Sequence, residues 1–438
     1  MTHFGIICPP FSGHLNAIAA LGRELKARGH QVTCLQVPDL ALKVYAEGLE
    51  FCAIGQSTWR SGLLAETLQK ISTLSGIPSL EYSLEFCRYI TEIICEDAPA
   101  AIEATGIEVL LVDQLEPAGE TVAAYLNLPF ICVSCAQAIH RRLEMPPFFT
   151  HWLYRNAGWA RWRNYVAYAG LDRSCQPMIQ TLNHYRSRWG LDPYQQMYAS
   201  AATIAHISQQ PSEFDFPCPN LPTHFHYTGP FRDQLGQTAE FPFDQLTGKP
   251  LIYASLGSVQ NTKSKLFQCI AAACVGLDVQ LVITHGGGMS EEQAKLLPGS
   301  PLVVPYAPQL EVISRASLTI THGGLNTVLD SLSQGVPLVA IPITYEQPGT
   351  GARILWTGTG QVVPLKRLTV SRLRNAIEQV LSTDEYYQNA IRLKRSIQTA
   401  GGVKRAADIV ESRSLAHLNR CLPSVGFQPQ VNALFSRE

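Results

Sequence analysis

The sequence lacks an excess of charge of either sign. Lys and Arg together number 34 and Asp and Glu number 35, so the formal net charge is −1 at pH 7. Proteins that bind nucleic acid through its phosphates carry clustered Lys and Arg. The balance therefore gives no sign of a nucleic-acid partner, and an anionic ligand would have to be held by local geometry.

The sequence also lacks a long apolar run. A membrane-spanning helix needs about 18 consecutive apolar residues, and no segment reaches that length. The N-terminal segment MTHFGIICPPFSGH has neither a basic n-region nor a small-residue cleavage site. We therefore expect a cytoplasmic protein that is soluble or at most peripherally associated with a membrane.

Two common nucleotide-binding motifs are absent as well. Neither GxxxxGK[S/T] nor GxGxxG followed by a suitably spaced acid occurs in the sequence. The first motif cradles phosphates in nucleotide triphosphatases, and the second binds dinucleotides. Kinase-type and nicotinamide-dependent functions consequently have no motif support.

The 12 cysteines show no spacing typical of a disulfide framework or a zinc site. They are scattered through apolar runs, as at Cys8, Cys34 and Cys274. Cys132 and Cys135 form one Cys-x-x-Cys pair, but no second ligand pair follows it. We expect reduced, mostly buried thiols and no metal site.

The order of apolar runs predicts two α/β domains. At 438 residues the chain exceeds one ordinary core, and two domains of about 200 residues are expected. Strand-like runs alternate with helical patterns on both sides of a proline-rich segment, which is typical of parallel sheets with helices on both faces. We predict two doubly wound, Rossmann-like domains that face a cleft. The predicted borders are 1–222 for the first domain, 223–249 for a linker, 250–408 for the second domain and 409–438 for a C-terminal helix and tail.

His322, Gly323 and Gly324 follow a predicted strand and precede a helical pattern. Two glycines let the backbone approach a ligand closely, and the start of a helix presents unpaired N–H groups with a partial positive charge. A phosphate fits such a site without a lysine. Asn326 and Thr327 lie in the first turn of the helix, where their side chains add donors.

Further polar residues follow on the same helix and after neighbouring strands. Asp330 lies one turn further along the same helix face, where its carboxylate can accept both hydroxyls of a ribose. Glu346 and Gln347 end the next apolar run and suit a sugar ring. Upstream, Tyr306 offers a flat surface for a base and Gln309 a further polar group. The set predicts a site for a base, a ribose, a diphosphate and a sugar.

This block, from Tyr306 to Gln347, resembles the nucleotide-sugar signature of the family 1 UDP-glycosyltransferases, which have the GT-B fold. The family spacing is met throughout: aromatic-Ala-Pro-Gln, His-x-Gly-x-Asn-[Ser/Thr]-x-x-acid, Gly-Val-Pro and acid-Gln. The N-terminal PPFSGHLNAIAAL and LLVDQLEPAG also match, so the resemblance covers nearly the whole chain. Within the family, VDQLEPAG, PPFFT and ITHGGLNTVLD are most similar to the bacterial branch that glucosylates zeaxanthin.

The resemblance implies a role for each position of the block. Tyr306 would stack on uracil, and Ala307 would bond the base through its backbone. Gln309 and Asp330 would hold the ribose. The remaining donor-binding residues would be Ser258, His322, Gly324, Asn326 and Thr327 for the diphosphate, and Glu346 and Gln347 for the glucose hydroxyls. Tyr306 replaces a tryptophan common in plant members, and Asp330 and Glu346 exchange the usual Glu and Asp, which leaves the identity of the sugar open.

His14 and Asp113 form the predicted catalytic pair. Each lies at the carboxyl end of a predicted strand of the first domain, so both would face the cleft. Transfer to a hydroxyl needs a base, and a carboxylate on one imidazole nitrogen fixes the tautomer and stabilises the imidazolium. The resemblance implies that this dyad inverts an α-linked UDP-glucose into a β-O-glucoside. No metal or cofactor is expected, because the helix N-terminus and His322 would stabilise the departing diphosphate.

The acceptor is predicted to be a lipophilic small molecule such as a zeaxanthin-like carotenoid. Residues 145–170 concentrate aromatic side chains among arginines, which suits a greasy acceptor pocket, an interfacial helix on a membrane, or a helix packed in the core. The same resemblance implies that the C-terminal helix returns to the first domain. The predicted acceptor-binding residues are Ser134, Phe148, Trp152, Trp159 and Trp162.

Several alternatives stay open at this point. A sugar-nucleotide epimerase of the same fold would bind the same donor, and a non-catalytic relative would keep only the donor block. The main competing interpretation is a transferase with a different acceptor, such as a flavonoid, a macrolide or a polyphenol. We expect a monomer, and the sequence leaves open whether the chain touches a membrane.

Overall fold

Two parallel sheets organise the chain. The computed structural model describes residues 1–74, 76–198, 203–218, 220–232, 239–259 and 261–421. The strands of the first sheet run in the order β3-β2-β1-β4-β5-β6-β7 and those of the second in the order β10-β9-β8-β11-β12-β13, with all described pairs parallel. The first sheet contains β1 (His3–Ile7), β2 (Gln31–Gln36), β3 (Glu50–Ala53), β4 (Val109–Asp113), β5 (Phe130–Ser134), β6 (Ala205–Ser208) and β7 (Phe225–Tyr227). The second contains β8 (Leu251–Ser255), β9 (Gln280–Thr284), β10 (Leu302–Val304), β11 (Ala316–Thr321), β12 (Leu338–Ala340) and β13 (Gly360–Val362).

Helices connect the strands and cover both sheets. Those between the strands of the first sheet are α1 (Ser12–Ala27), α2 (Ala41–Ala46), α3 (Leu63–Thr73), α4 (Ile77–Thr105), α5 (Pro117–Tyr125), α6 (Gly158–Ser174) and α7 (Gln176–Arg188). Those of the second half are α8 (Ser264–Cys274), α9 (Glu291–Lys295), α10 (Gln309–Ser314), α11 (Leu325–Gln334), α12 (Gln347–Thr357), α13 (Val370–Ser382), α14 (Asp384–Ala400) and α15 (Gly402–Cys421). Within the described ranges, no helix is long and apolar enough to cross a membrane.

The central strands are short apolar runs because both of their faces are covered. Every residue of β1, β4 and β8 is buried, as expected for parallel strands between helical layers. In each sheet the strand order reverses beside the first strand, at β1 and at β8. Ligands of such sheets bind beyond the carboxyl ends of the strands at this switch point. The prediction of two doubly wound, Rossmann-like sheets is confirmed.

Three strands of the structure were not predicted from the sequence: β3, β7 and β13. Each has three or four residues and is only partly buried over most of its length, so it carries little apolar signal. Strand β7 lies inside 223–249, which the sequence predicts as a linker, and it pairs with β6 as the edge of the first sheet. Positions 233–238 of that predicted linker and 422–438 of the predicted tail lie outside the described residues.

The last described helix packs against the first one. The Arg28 guanidinium, just after α1, donates to Asp408 at 2.6 Å and to Glu411 at 2.7 Å. His30 Nε2 lies 2.9 Å from Glu411 as well. Helix α15 thus follows the second sheet in sequence but contacts the layer that covers the first sheet.

Candidate active site

His14 and Asp113 meet at the switch point of the first sheet. Strands β1 and β4 pair side by side, so the end of β4 adjoins the loop from β1 into α1. Asp113 is the last residue of β4, and His14 lies in the first turn of α1. His14 Nδ1 is 2.8 Å from Asp113 Oδ2, and the other carboxylate oxygen accepts the Leu115 N–H at 2.8 Å. The carboxylate therefore orients the ring with Nδ1 as donor and leaves Nε2 on the opposite side.

The surroundings of His14 favour protonation of its ring. The side chain is 15% exposed and that of Asp113 only 1%. Burial opposes protonation of His14, but the charge and hydrogen bond of Asp113 outweigh it, with a smaller contribution from Glu346, so its pKa is raised above the ordinary value. His14 also acts on Glu346. Burial raises the pKa of the Glu346 carboxyl group, and the positive charge of His14 lowers it. His14 follows β1 of the first sheet and Glu346 follows β12 of the second, so the carboxyl ends of both sheets face one cleft.

His322 is held in a slot between two glycines. A methyl group at Gly257 would lie 2.7 Å from His322 Cε1, and one at Gly324 would overlap Nε2. Gly257 also has a φ of 71°, which favours glycine. Burial lowers the pKa of His322 to about 4, although a hydrogen bond with the Ser255 backbone acts in the opposite direction. The imidazole is therefore neutral at pH 7 and stands at the N-terminus of α11.

Asn326 connects the two sheets at this point. Its Nδ2 donates to the carbonyl oxygen of Gly13 at 2.9 Å, directly before His14. Its Oδ1 accepts a hydrogen bond from Gln209 Nε2 at 2.8 Å. Its predicted contact with the diphosphate stays a prediction, and in the structure its side chain contacts the first half of the chain. Thr327, the neighbouring predicted donor, is buried.

The two predicted ribose-binding residues contact each other. Gln309 Nε2 donates to Asp330 Oδ2 at 2.6 Å. Arg232 Nε donates to the other carboxylate oxygen, also at 2.6 Å, and Arg232 Nη2 donates to the Asn326 carbonyl oxygen at 3.2 Å. Sequence reasoning missed Arg232, because it follows Gly-Pro-Phe in a proline-rich segment without periodicity.

The predicted sugar-binding pair begins α12. Glu346 is the N-cap residue and Gln347 the first helical residue. Gln347 Oε1 accepts the backbone N–H groups of Ile343 and Thr344, each at 2.9 Å. Tyr345, the residue before Glu346, has a φ of 55°, a strained conformation for a non-glycine residue. Its hydroxyl lies 2.9 Å from Ser83 Oγ of α4, so this loop also reaches the first half of the chain.

The predicted base-binding residues lie at the rim. The ring of Tyr306 is largely exposed, and its hydroxyl donates to the Gly286 carbonyl oxygen at 3.2 Å. Ala307 is half-buried beside it, and Ser258 is exposed in the loop after β8. An exposed ring held at its hydroxyl offers an apolar surface for stacking.

The predicted acceptor residues do not form one cluster. Ser134 is buried at the end of β5 and bonded to Gln114 and His206. The carbonyl of Phe148 packs so closely on α12 that only glycine fits at position 349. The Trp152 ring is covered by Arg163, at 4.1 Å. Trp159 and Trp162 lie exposed on α6.

A different aromatic group lies beside His14. The ring of Phe11 is 6.4 Å from His14 and 6.3 Å from Phe86 of α4, and Trp59 follows 6.3 Å beyond Phe86. Trp59 is buried, yet its indole N–H has no hydrogen-bond partner among the described residues. These residues are distant in sequence, so no local pattern signals their proximity.

Glu116 is a further group that sequence reasoning missed. It is the N-cap residue of α5 and follows Asp113 by one turn. Burial and the Asp113 charge raise its pKa to about 8, although the Ala118 backbone counteracts them. The carboxyl group of Glu116 therefore holds its proton to a higher pH than an ordinary glutamate does, close to Asp113.

Known proteins match this chain over almost all of its length. A family model described as "UDP-glucoronosyl and UDP-glucosyl transferase" matches residues 9–399. A zeaxanthin glucosyltransferase from Pantoea ananas is 34% identical over 415 residues, covering 94% of this chain and 96% of the relative. A zeaxanthin glucosyltransferase from Pseudescherichia vulneris is 32% identical over 415 residues, covering 94% and 98%. The crystal structure of CalG4, the calicheamicin glycosyltransferase, superimposes with a TM-score of 0.74 at 21% identity, covering 97% of this chain and 100% of that one.

Proposed function

Because the chain belongs to this family of UDP-glycosyltransferases, we propose that it transfers glucose from UDP-glucose to a hydroxyl of a lipophilic acceptor with inversion at the anomeric carbon. The chain is a glycosyltransferase of the GT-B fold, and the family implies a nucleotide-sugar donor and a small-molecule acceptor. The donor sugar, the stereochemistry and the acceptor are our proposals. The observation that carries the proposed transfer is the His14–Asp113 pair, with Glu346 on the facing side of the cleft.

In the proposed reaction, His14 Nε2 removes the proton of the acceptor hydroxyl as the oxygen attacks the anomeric carbon. The new C–O bond forms while the bond from that carbon to the diphosphate breaks, and the electron pair leaves with UDP. Attack opposite the leaving group converts the α-linked donor into a β-O-glucoside. Asp113 stabilises the imidazolium that results.

The departing diphosphate would be stabilised by the start of α11. Its N-terminal N–H groups carry a partial positive charge, and the neutral His322 ring adds a polar group without requiring a proton. This arrangement supplies the electrostatic stabilisation that a metal ion gives in other transferases. We therefore propose that UDP-glucose is the only co-substrate and that the step needs no metal or cofactor.

A zeaxanthin-like carotenoid is the acceptor class that we favour. Two relatives at 34% and 32% identity are named zeaxanthin glucosyltransferases. The rings of Phe11, Phe86 and Trp59 follow one another from His14, with 6.3–6.4 Å between neighbouring ring centroids; Phe11 is half-buried and the other two are buried. A flat apolar group that carries the reacting hydroxyl would lie against this aromatic row with its oxygen at Nε2.

The test combines product analysis with loss of the base. The purified protein is incubated with UDP-glucose and zeaxanthin, a flavonol or no acceptor, and product mass, UDP release and the anomeric coupling constant are measured. We expect a β-glucoside of zeaxanthin from the wild type and from His184→Ala, an exposed control, and none from His14→Ala.

Other outcomes would redirect the proposal. A flavonol glucoside without a carotenoid product would keep the mechanism and replace the acceptor class. UDP release without an acceptor, or equal rates for wild type and His14→Ala, would contradict the proposed transfer. An α-glucoside would contradict the inverting mechanism.

The proposal also covers the domains that hold the two sites and the oligomeric state of the active form. We propose that the donor site belongs to a domain at 250–408 and the acceptor site to the domain predicted at 1–222, which β7 (Phe225–Tyr227) extends beyond that border. We also propose that the active form is a monomer, since the groups of the proposed reaction all come from one chain. Sedimentation at assay concentration tests the second point, and a dimer that dissociates with loss of activity would contradict it.

A further inference from the structure

Helix α6 presents a row of large apolar side chains to solvent. Trp159 is 60% exposed, Trp162 70%, Tyr165 58% and Val166 47%. Their spacing of three or four residues puts them on one side of the helix. The opposite side buries Ala160, Asn164 and Tyr168 against the first half of the chain. We call the row formed by Trp159, Trp162, Tyr165 and Val166 the aromatic face.

The unpaired charges of the segment that carries the aromatic face are of one sign. Between Glu144 and Asp172 the sequence contains no acidic residue. Asp172 is paired with Arg141, with two contacts of 2.9 and 2.5 Å. Exposed cations lie at Arg155 before the helix and at Arg161 and Arg173 on it. The segment that carries the aromatic face is therefore basic.

We infer that the aromatic face docks the protein on the interface of an anionic lipid bilayer. Trp and Tyr rings settle at the boundary between lipid headgroups and acyl chains, because one part of the ring is apolar and another forms hydrogen bonds. Arginines beside them attract the phosphates of anionic lipids, at about 1 kcal/mol for each cation near the surface. A protein partner would need apolar and acidic groups at fixed positions opposite the four exposed apolar side chains and the separate arginines. An anionic bilayer offers acyl chains and phosphates at every point of its surface, so it needs no such fixed arrangement.

The aromatic face is coupled to the cleft through the loop that precedes it. Tyr168 on the buried side of α6 donates its hydroxyl to the His140 carbonyl oxygen at 2.9 Å, at the start of the loop. Further along the same loop, the Phe148 carbonyl packs against Gly349 in the first turn of α12. That turn begins with Gln347, which was predicted to bind the sugar. Docking on a bilayer thus brings the cleft next to the phase in which a lipophilic acceptor dissolves, and this last step rests on the proposed function.

Vesicle binding tests the docking without any acceptor. Full-length protein is sedimented with vesicles of phosphatidylcholine alone and with vesicles that also contain phosphatidylglycerol. The wild type is expected to bind the anionic vesicles, less so at high salt. The variant Trp159→Ala/Trp162→Ala is expected to bind about tenfold more weakly, because two rings lose their apolar contact with lipid.

Controls separate docking from damage to the fold. Tyr387→Ala/Leu415→Ala removes two exposed apolar side chains from α14 and α15 and is expected to bind as the wild type does. Both variants should retain the thermal transition of the wild type. Binding that is absent for the wild type, equal in neutral vesicles, or unchanged in Trp159→Ala/Trp162→Ala would overturn the inference. Loss of zeaxanthin glucosylation with normal vesicle binding would instead contradict only the proposed acceptor.

Discussion

Arg232 clamps Asp330, the carboxylate predicted to hold the ribose. Arg232 Nε donates to Asp330 Oδ1 at 2.6 Å, while Gln309 occupies the other oxygen at the same distance. The guanidinium also reaches the Asn326 carbonyl oxygen in the first turn of α11. One side chain from the end of the first half of the chain therefore orients two positions of the donor block in the second half.

Replacing Arg232 with Gln should weaken donor binding. The buried carboxylate of Asp330 would lose a charge-assisted hydrogen bond, whose contribution of about 1.5–3 kcal/mol corresponds to a tenfold or larger effect. We expect KM for UDP-glucose to rise by about tenfold with little change in KM for the acceptor. Arg232→Lys should recover part of the loss, because it restores the charge but not the planar fork. Calorimetric titration with UDP checks this, and unchanged or tighter binding would contradict it.

Asp113 should set the pH dependence of the reaction. The base acts when His14 is neutral, so kcat/KM should rise with pH through the His14 pKa, which burial lowers but Asp113 raises to a net value above the ordinary 6.5. In Asp113→Asn the carboxylate that raises the pKa of His14 is lost, while the burial that lowers this pKa remains. We expect the acidic limb of the profile to move to lower pH and the maximal rate to fall by about a hundredfold or more.

The comparison uses full pH profiles of kcat/KM for both proteins with one acceptor. Glu116→Gln provides the control, because it removes a neighbouring buried carboxyl group that does not contact His14. Its acidic limb should stay close to that of the wild type. An Asp113→Asn limb at the wild-type position or at higher pH would show that the pair does not act as described.

The slot that holds His322 should tolerate no side chain at either neighbouring glycine. A methyl group at position 324 would overlap Nε2 of the ring, so Gly324→Ala must displace the imidazole or the start of α11. We expect donor affinity to fall by about tenfold or more while the protein stays folded. Gly170→Ala is the matched control, since an added methyl group at this helical position meets nothing within 4 Å. Equal UDP binding by Gly324→Ala and the wild type would contradict the assignment.

The fold and the strand-end polar residues could be predicted because they follow from local patterns. Apolar runs of buried parallel strands are legible in sequence, and the residues after each run lie at one edge of the sheet. His14, Asp113 and His322 were found in this way. The contact between Asn326 and Gly13 could not be found, because it depends on how the two halves of the chain meet.

The acceptor-binding residues were harder to predict from the sequence, for a physical reason. Clustered aromatics predict apolar burial, but sequence does not say whether the partner is the core, a ligand or a surface. Trp159 and Trp162 are exposed, whereas the aromatic row beside His14 is assembled from Phe11, Trp59 and Phe86, which belong to separate segments. Arg232 was hidden likewise, since a cation in a loop has no partner until the chain is folded.

Arg353 should be a stability determinant behind the donor site. The residue lies on α12 and is 2% exposed. Its Nε and Nη2 atoms lie 2.8 Å and 2.7 Å from Asp215 Oδ1. Burial alone would raise the pKa of Asp215, but Arg353 and the hydrogen bonds of His140 and Tyr227 hold it well below the ordinary value. Removing one partner of a buried pair costs about 3–5 kcal/mol. Arg353→Met should therefore lower the free energy of unfolding by that amount at pH 7.

The pH dependence of that loss identifies its cause. A carboxylate with a depressed pKa contributes stability above its unfolded pKa of about 3.9 and loses it as pH falls through the lower folded value. The two unfolded chains titrate alike, so the difference in free energy of unfolding between wild type and Arg353→Met in urea follows the folded pKa of Asp215 in each protein. It should be largest near pH 7 and shrink as pH falls through the higher folded pKa of the variant, in which Arg353 no longer offsets the burial of Asp215. Arg395→Met, an exposed change on α14, should cost little at any pH. A loss of stability in Arg353→Met that persists undiminished in acid would mean that the side chain acts through packing on Phe216 and not through the charge of Asp215.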